Sequence, residues 1–267
     1  MRRGRTQCGV GIGKALALAI VCHYPLRMSG LIEDTAPIRS RDEGADTTTL
    51  DRVPLTAFEP DTKARGGIVV LHEARTFPPA LVEFMKALAA DGWLVAAPHL
   101  FHRAAGDDDV FGTPLFEDFD ATVTWLLARG VPADCIGVIG FDDAGTAAAL
   151  VATDRTVGAA VSVAAPGIVE PLTADARALI DAAPSLKAPW LALYGRDDAR
   201  TPVDHVERLQ DAVAKASVAT LVVSYAGVEH RADEESAPYD GSGNSVGDDA
   251  IDDAQRRIFD WFDSHLR

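Results

Sequence analysis

Six short runs of almost unbroken apolar residues constrain this chain more than any other feature: GGIVVLH at 66–72, WLVAAP at 93–98, CIGVIG at 135–140, VGAAVSVAAPG at 157–167, APWLALYG at 188–195 and ATLVVSYA at 219–226. A strand that alternates apolar and polar residues has one wet face. A strand without alternation is buried on both faces, as in a parallel sheet covered by helices. Segments with helical apolar spacing lie between the runs: PPALVEFMKALAADG at 78–92, LFEDFDATVTWLLARG at 115–130, an alanine-rich stretch reaching about 152, VDHVERLQDAVAKA at 203–216 and DDAIDDAQRRIFDWFDSHL at 248–266. Strand and helix in alternation predict an α/β fold with a mostly parallel central sheet and helices on both faces.

Length and charge set the outer limits. A chain of 267 residues, 48% apolar, fits one domain of this kind. Its formal net charge is −15. That argues against nucleic acid or an anionic membrane as partner, since both demand clustered Lys and Arg, and leaves a small-molecule substrate as the expected partner. Oligomeric state is not readable. Three cysteines, Cys8, Cys22 and Cys135, make no disulfide framework. This fits a reducing compartment, and the chain is read as cytoplasmic. Seven histidines form no H-x-x-x-H pair, so no metal site is expected.

The first 27 residues hold five basic and no acidic side chains, with ALALAIVC at their centre. They read as a dispensable extension, a mis-called start ahead of Met28, or a weak signal-like segment without a small-x-small cleavage site. Residues 28–267 are read as a single domain. The stretch DEESAPYDGSGNSVGDD at 233–249 is polar and glycine-rich, and is expected to be an exposed loop.

In parallel sheets the reacting groups sit on loops beyond the carboxyl ends of the strands. Read in order, those loops are HEARTF, HLFHR, GFDDAG, GRDDARTP and GVEHRADEE. The third has the outline of a strand, a sharp turn and a helix, where hydrolases present a nucleophile as Gly-x-nucleophile-x-Gly. Here the tip is Asp142. Asp198, or its neighbour Asp197, and then His230 follow in the order nucleophile, acid, histidine. Blander readings stand beside these. Asp198 could cap a helix starting near Pro202, and Arg103 could pair with Asp107 or Asp108. His72, His99 and His102 fall on the same rim.

The stretches GIVVLHEARTF, LAADGWLVAAPHLFHR, IGFDDAG, LYGRDDARTP and YAGVEHRA together resemble the successive signatures of the dienelactone hydrolase family, over about residues 66–266. The resemblance implies an α/β-hydrolase fold and a lactone or ester hydrolase without metal or organic cofactor. The family's cysteine nucleophile falls on Asp142, its acid on Asp198, its histidine on His230, and a glutamate that touches the nucleophile on Glu73. An arginine that helps hold a substrate carboxylate falls on Arg103. A second such arginine falls on Glu234, with Arg231 nearby but not matched. Ala144 stands where the turn pattern has its last glycine.

Aspartate tolerates positive φ, so the turn survives the change. Backbone N–H groups of Ala74 and Asp143 are expected to form an oxyanion hole. The chemistry changes more than the shape. A carboxylate attacking an ester carbonyl gives an anhydride more reactive than the ester, whereas attack at saturated carbon gives a stable alkyl ester. Three readings follow: a hydrolase of an ester, lactone or related small electrophile through Asp142, Asp198 and His230; a non-catalytic pseudo-enzyme or small-molecule binding module; and an Asp-nucleophile dehalogenase or epoxide hydrolase. The acids at 73, 142 and 143 also disfavour anionic substrates.

Overall fold

The computed structural model describes residues 30–38, 51–103, 111–231 and 246–266. Among the described residues eight strands form one sheet in the order β1-β2-β4-β3-β5-β6-β7-β8. They are β1 (Gly30–Pro37), β2 (Arg52–Glu59), β3 (Gly66–Leu71), β4 (Trp93–Pro98), β5 (Ile136–Phe141), β6 (Ala159–Val163), β7 (Trp190–Gly195) and β8 (Thr220–Tyr225). The pairs from β4 through β3, β5, β6 and β7 to β8 are all parallel, while β1/β2 and β2/β4 are antiparallel.

Every residue of β3 to β7 is buried, as their unbroken apolar runs require. The helices are α1 (Pro79–Ala90), α2 (Thr113–Ala128), α3 (Asp143–Asp154), α4 (Leu179–Ala182), α5 (Val203–Val213) and α6 (Val246–His265). Alternate residues of the strands feed two cores. Leu81, Met85 and Leu88 of α1 pack with Ile258 and Phe262 of α6 on one face of the sheet. Leu115, Phe119 and Trp125 of α2, the alanines of α3, and Leu209 of α5 fill the other. At roughly 25 cal/mol per Å² of apolar surface removed from water, this double burial is the main stabilising term.

The expected parallel strands and five long helices are present, with ends displaced by a few residues. β1, β2 and the single-turn α4 were not expected. The expected loop at 233–249 is corrected at its end, because 246–249 already belong to α6; residues 233–245 lie outside the described residues, as do the extension 1–27, Asp107, Asp108 and Glu234. Among the described residues, no helix is long and apolar enough to cross a membrane.

Candidate active site

The turn between β5 and α3 is built from close backbone approach. A Cβ on Gly140 would come within 2.0 Å of the Ala144 carbonyl oxygen, so only glycine lets the helix start this near the strand. Asp142, at φ 55° and ψ −129°, occupies the left-handed half of conformational space. Such a conformation persists only when its surroundings over-determine it. Here the Asp142 N–H donates to the Val163 carbonyl at 3.0 Å, and its carbonyl accepts from Gly145 N–H at 2.8 Å. Thr146 Oγ1 donates to the Pro166 carbonyl at 2.6 Å, and Ser162 Oγ donates to the Gly145 carbonyl at 2.7 Å. Ser162 in turn accepts from the indole of Trp190 at 2.9 Å. Thus β6 and β7 fix the first turn of α3. Ala144, wholly buried, satisfies the close packing that the turn pattern assigns to a small residue.

Asp198 and His230 arrive from the exits of β7 and β8. Nδ1 of His230 is hydrogen-bonded to Asp198 Oδ2 at 2.7 Å, and its Nε2 lies 2.8 Å from Asp142 Oδ1. Asp198 is buried, whereas His230 and Asp142 keep 37% and 21% of their side chains exposed. A shielded acid behind a reachable histidine and carboxylate matches the division of labour in a catalytic triad. The alternative readings of the acid do not match the geometry. Asp197 accepts instead from Gly227 N–H at 3.0 Å. α5 begins after Pro202 without a side-chain cap, and Asp198 Oδ1 accepts from Arg200 N–H at 2.7 Å.

Two arginines also reach Asp142. Arg200 donates from Nη1 to Asp142 Oδ1 at 3.3 Å and from Nη2 to Asp143 Oδ1 at 2.6 Å. Arg231 Nη1 lies 3.5 Å from Asp142 Oδ2, with its guanidinium over the Phe141 ring at 4.5 Å. Of these two, the sequence points to Arg231, next to the histidine, and not to Arg200. The available signal was an arginine two residues beyond the acid, in a loop that topology already directs at the turn.

Elsewhere the expected groups meet other partners. The Ala74 N–H donates to His72 Nδ1 at 2.9 Å, so it serves an oxyanion only if that ring turns away. The Asp143 N–H is the first of α3, where no intrahelical acceptor exists. Glu73 is half-buried on the same loop as Ala74. Arg103 does not stand as an open carboxylate clamp: it lies 2.9 Å from Asp118 and 3.4 Å from Glu117, and donates to the Pro114 carbonyl. Asp118 is buried and also faces His102 at 3.2 Å. Burial pushes its carboxyl above the usual range, against the pull of Arg103 and His102. His99 stacks on Phe77 and contacts Thr56, and burial pushes its ring below the ordinary histidine value.

Comparison with known proteins bears on the fold and the family. Residues 54–266 match the dienelactone hydrolase family. A Yersinia pestis protein named "Putative carboxymethylenebutenolidase" is 25% identical over 80% of this chain and 85% of its own length. The crystal structure titled "Putative Dienelactone Hydrolase" from Klebsiella pneumoniae superposes with a TM-score of 0.70 at 22% identity, covering 88% of this chain and all of its own. The dienelactone hydrolase from Anabaena variabilis gives 0.60 at 17% identity, over 89% of this chain and 99% of its own. With this fold, this strand-exit order and this match along most of its length, the chain belongs to the dienelactone hydrolase family, an α/β-hydrolase.

Proposed function

We propose that this protein hydrolyses a small electrophile, an ester, a lactone or a related compound, through Asp142, His230 and Asp198. The observation that carries the reading is the short path from Asp142 through His230 to buried Asp198, on a backbone turn held at positive φ. The identity of the turn residue favours saturated carbon as the point of attack. An Asp142 oxygen bonds to that carbon, and the leaving group departs with the electron pair of its bond. The resulting alkyl ester is neutral and leaves His230 beside the Asp142 carbonyl carbon. His230 then takes a proton from water as the water oxygen bonds to the Asp142 carbonyl carbon. As the tetrahedral centre collapses, His230 returns its proton to the departing oxygen, which came from Asp142 and leaves as an alcohol, and the new acid loses its proton to solvent to regenerate the carboxylate. The N–H of Asp143 supports the transient oxyanion, with Ala74 joining once His72 turns aside.

A second reading, a binding protein without turnover, draws support from Arg200 and Arg231. Both carboxylate oxygens of Asp142 already face cations, which dampens a nucleophile. A turnover panel separates the readings: aryl esters and lactones against haloacids and epoxides, with Asp142→Asn and His230→Ala as controls. Turnover of saturated electrophiles that disappears in Asp142→Asn supports covalent catalysis. Ester turnover lost only in His230→Ala assigns direct water attack. Ligand binding without turnover in the wild type supports the binding protein.

A further inference from the structure

We propose that Asp143 is a specificity-determining residue, which restricts this site to uncharged substrates by holding Arg200 closed. The inference rests on the function proposed above and names its substrate class. The two guanidinium groups in contact with Asp142 would be the natural receptors for a substrate carboxylate. Both are engaged. Arg200 makes its shorter contact, 2.6 Å, with the side chain of Asp143 and its longer one, 3.3 Å, with Asp142. Arg231 is 8% exposed, pinned between Asp142 and the face of Phe141. Of the two, only Arg200, with half of its side chain exposed, stands where an incoming anion could compete for it.

Competition is uphill for two reasons. Drawing Arg200 away leaves Asp142 and Asp143, adjacent in sequence, as like charges without their shared counter-ion. The incoming anion must also approach the Asp142 carboxylate itself. A neutral electrophile meets neither obstacle. Arg200 is also tied down through its main chain, since its N–H holds Asp198 Oδ1. The guanidinium therefore projects from a fixed point, and what it binds is decided by which carboxylates surround it.

The test pairs neutral and acidic substrates of the same size on the full chain: phenyl 4-methylpentanoate against the phenyl half-ester of succinate, and bromoacetamide against bromoacetate. Wild type is expected to favour the neutral member by roughly tenfold or more in kcat/KM. Asp143→Asn, which leaves Arg200 Nη2 without its carboxylate, is expected to narrow that ratio by about the same factor. Adding Arg200→Gln to Asp143→Asn should restore the discrimination. Asp143→Ser carries the same expectation should asparagine disturb the start of α3. Calorimetry with acetate and succinate gives a readout that needs no turnover: no binding to wild type, binding to Asp143→Asn, and loss again in the double variant. If no substrate turns over while the calorimetric pattern holds, the catalytic reading fails and the role of Asp143 stands. Equal handling of neutral and acidic partners by wild type, or a gain in Asp143→Asn that survives Arg200→Gln, overturns the proposal.

Discussion

Two aspartates in this molecule are surrounded by the same kinds of group, and only one of them looks built to react. Asp142 and Asp118 each face a histidine and an arginine. At Asp118 the carboxylate is buried, His102 and Arg103 close over it, and among the described residues no second acid pairs with the histidine. The residue sits on regular α2, one of seven buried positions there. At Asp142 the carboxylate is part-exposed, the backbone is held at positive φ, and the histidine is backed by buried Asp198. The first arrangement joins the β4 exit to α2. The second holds a reachable carboxylate beside a base. What separates a clasp from a candidate site is therefore exposure, strain and the second acid, not the inventory of side chains.

The comparison breaks most sharply under paired substitutions. Asp142→Asn is expected to reduce turnover on the order of a thousandfold, with stability changed by less than about 1 kcal/mol because its ion pairs reach solvent. Asp118→Asn is expected to do the reverse, costing roughly 1–3 kcal/mol by removing the contacts that the buried carboxylate makes to His102 and Arg103, while the folded protein turns over substrate normally. Kinetics and chemical denaturation on both variants decide it; equal loss of activity in the two would erase the distinction.

A smaller effect follows from the raised carboxyl of Asp118. It binds its proton more tightly folded than unfolded, so its contribution to stability is greatest at acid pH. That contribution declines as the pH rises above the ordinary value of 3.8 and through the folded-state value. Denaturation of wild type and Asp118→Asn across that range should show their difference shrinking as the pH rises, and a difference that grows would reverse the assignment. Smallest of all is Arg103→Gln, expected to cost about 1 kcal/mol of stability and to leave KM for a carboxylate-bearing ester unchanged. A raised KM at constant stability would return Arg103 to the substrate-holding role that the family resemblance implies.

The same contrast marks what the sequence reveals. β3 to β7 were legible because a strand buried on both faces leaves an unbroken apolar run, whereas β8 carries a similar run at the sheet edge with only Tyr225 buried; α1, α2, α5 and α6 were legible from helical spacing, and α3 as an alanine-rich stretch after the turn. β1 and β2 were not. They form an antiparallel pair at the sheet edge, where Pro54 and charged ends dilute the pattern, and α4 is too short to show a period. That Asp142, His230 and an acid from the β7 exit meet could be anticipated from chain order, since a parallel sheet delivers its strand exits to one rim, but the choice of Asp198 over Asp197 rested on the family resemblance. The arginines could not. Arg103 reaches Asp118 only because α2 swings back over the β4 exit, and Arg200 reaches Asp143 only because a turn at Asp198 aims it. Long side chains report tertiary detail that topology does not encode.

The most direct test of covalent catalysis at Asp142 is a trapping measurement. His230→Gln removes the base that the second step needs while leaving the attacking carboxylate in place. Incubated with bromoethanol or an epoxide and digested, this variant is expected to carry the alkyl group as an ester on the peptide containing Asp142, and wild type to carry little of it. An unmodified Asp142 peptide in His230→Gln, from a preparation whose wild type turns over the same compound, would contradict the account.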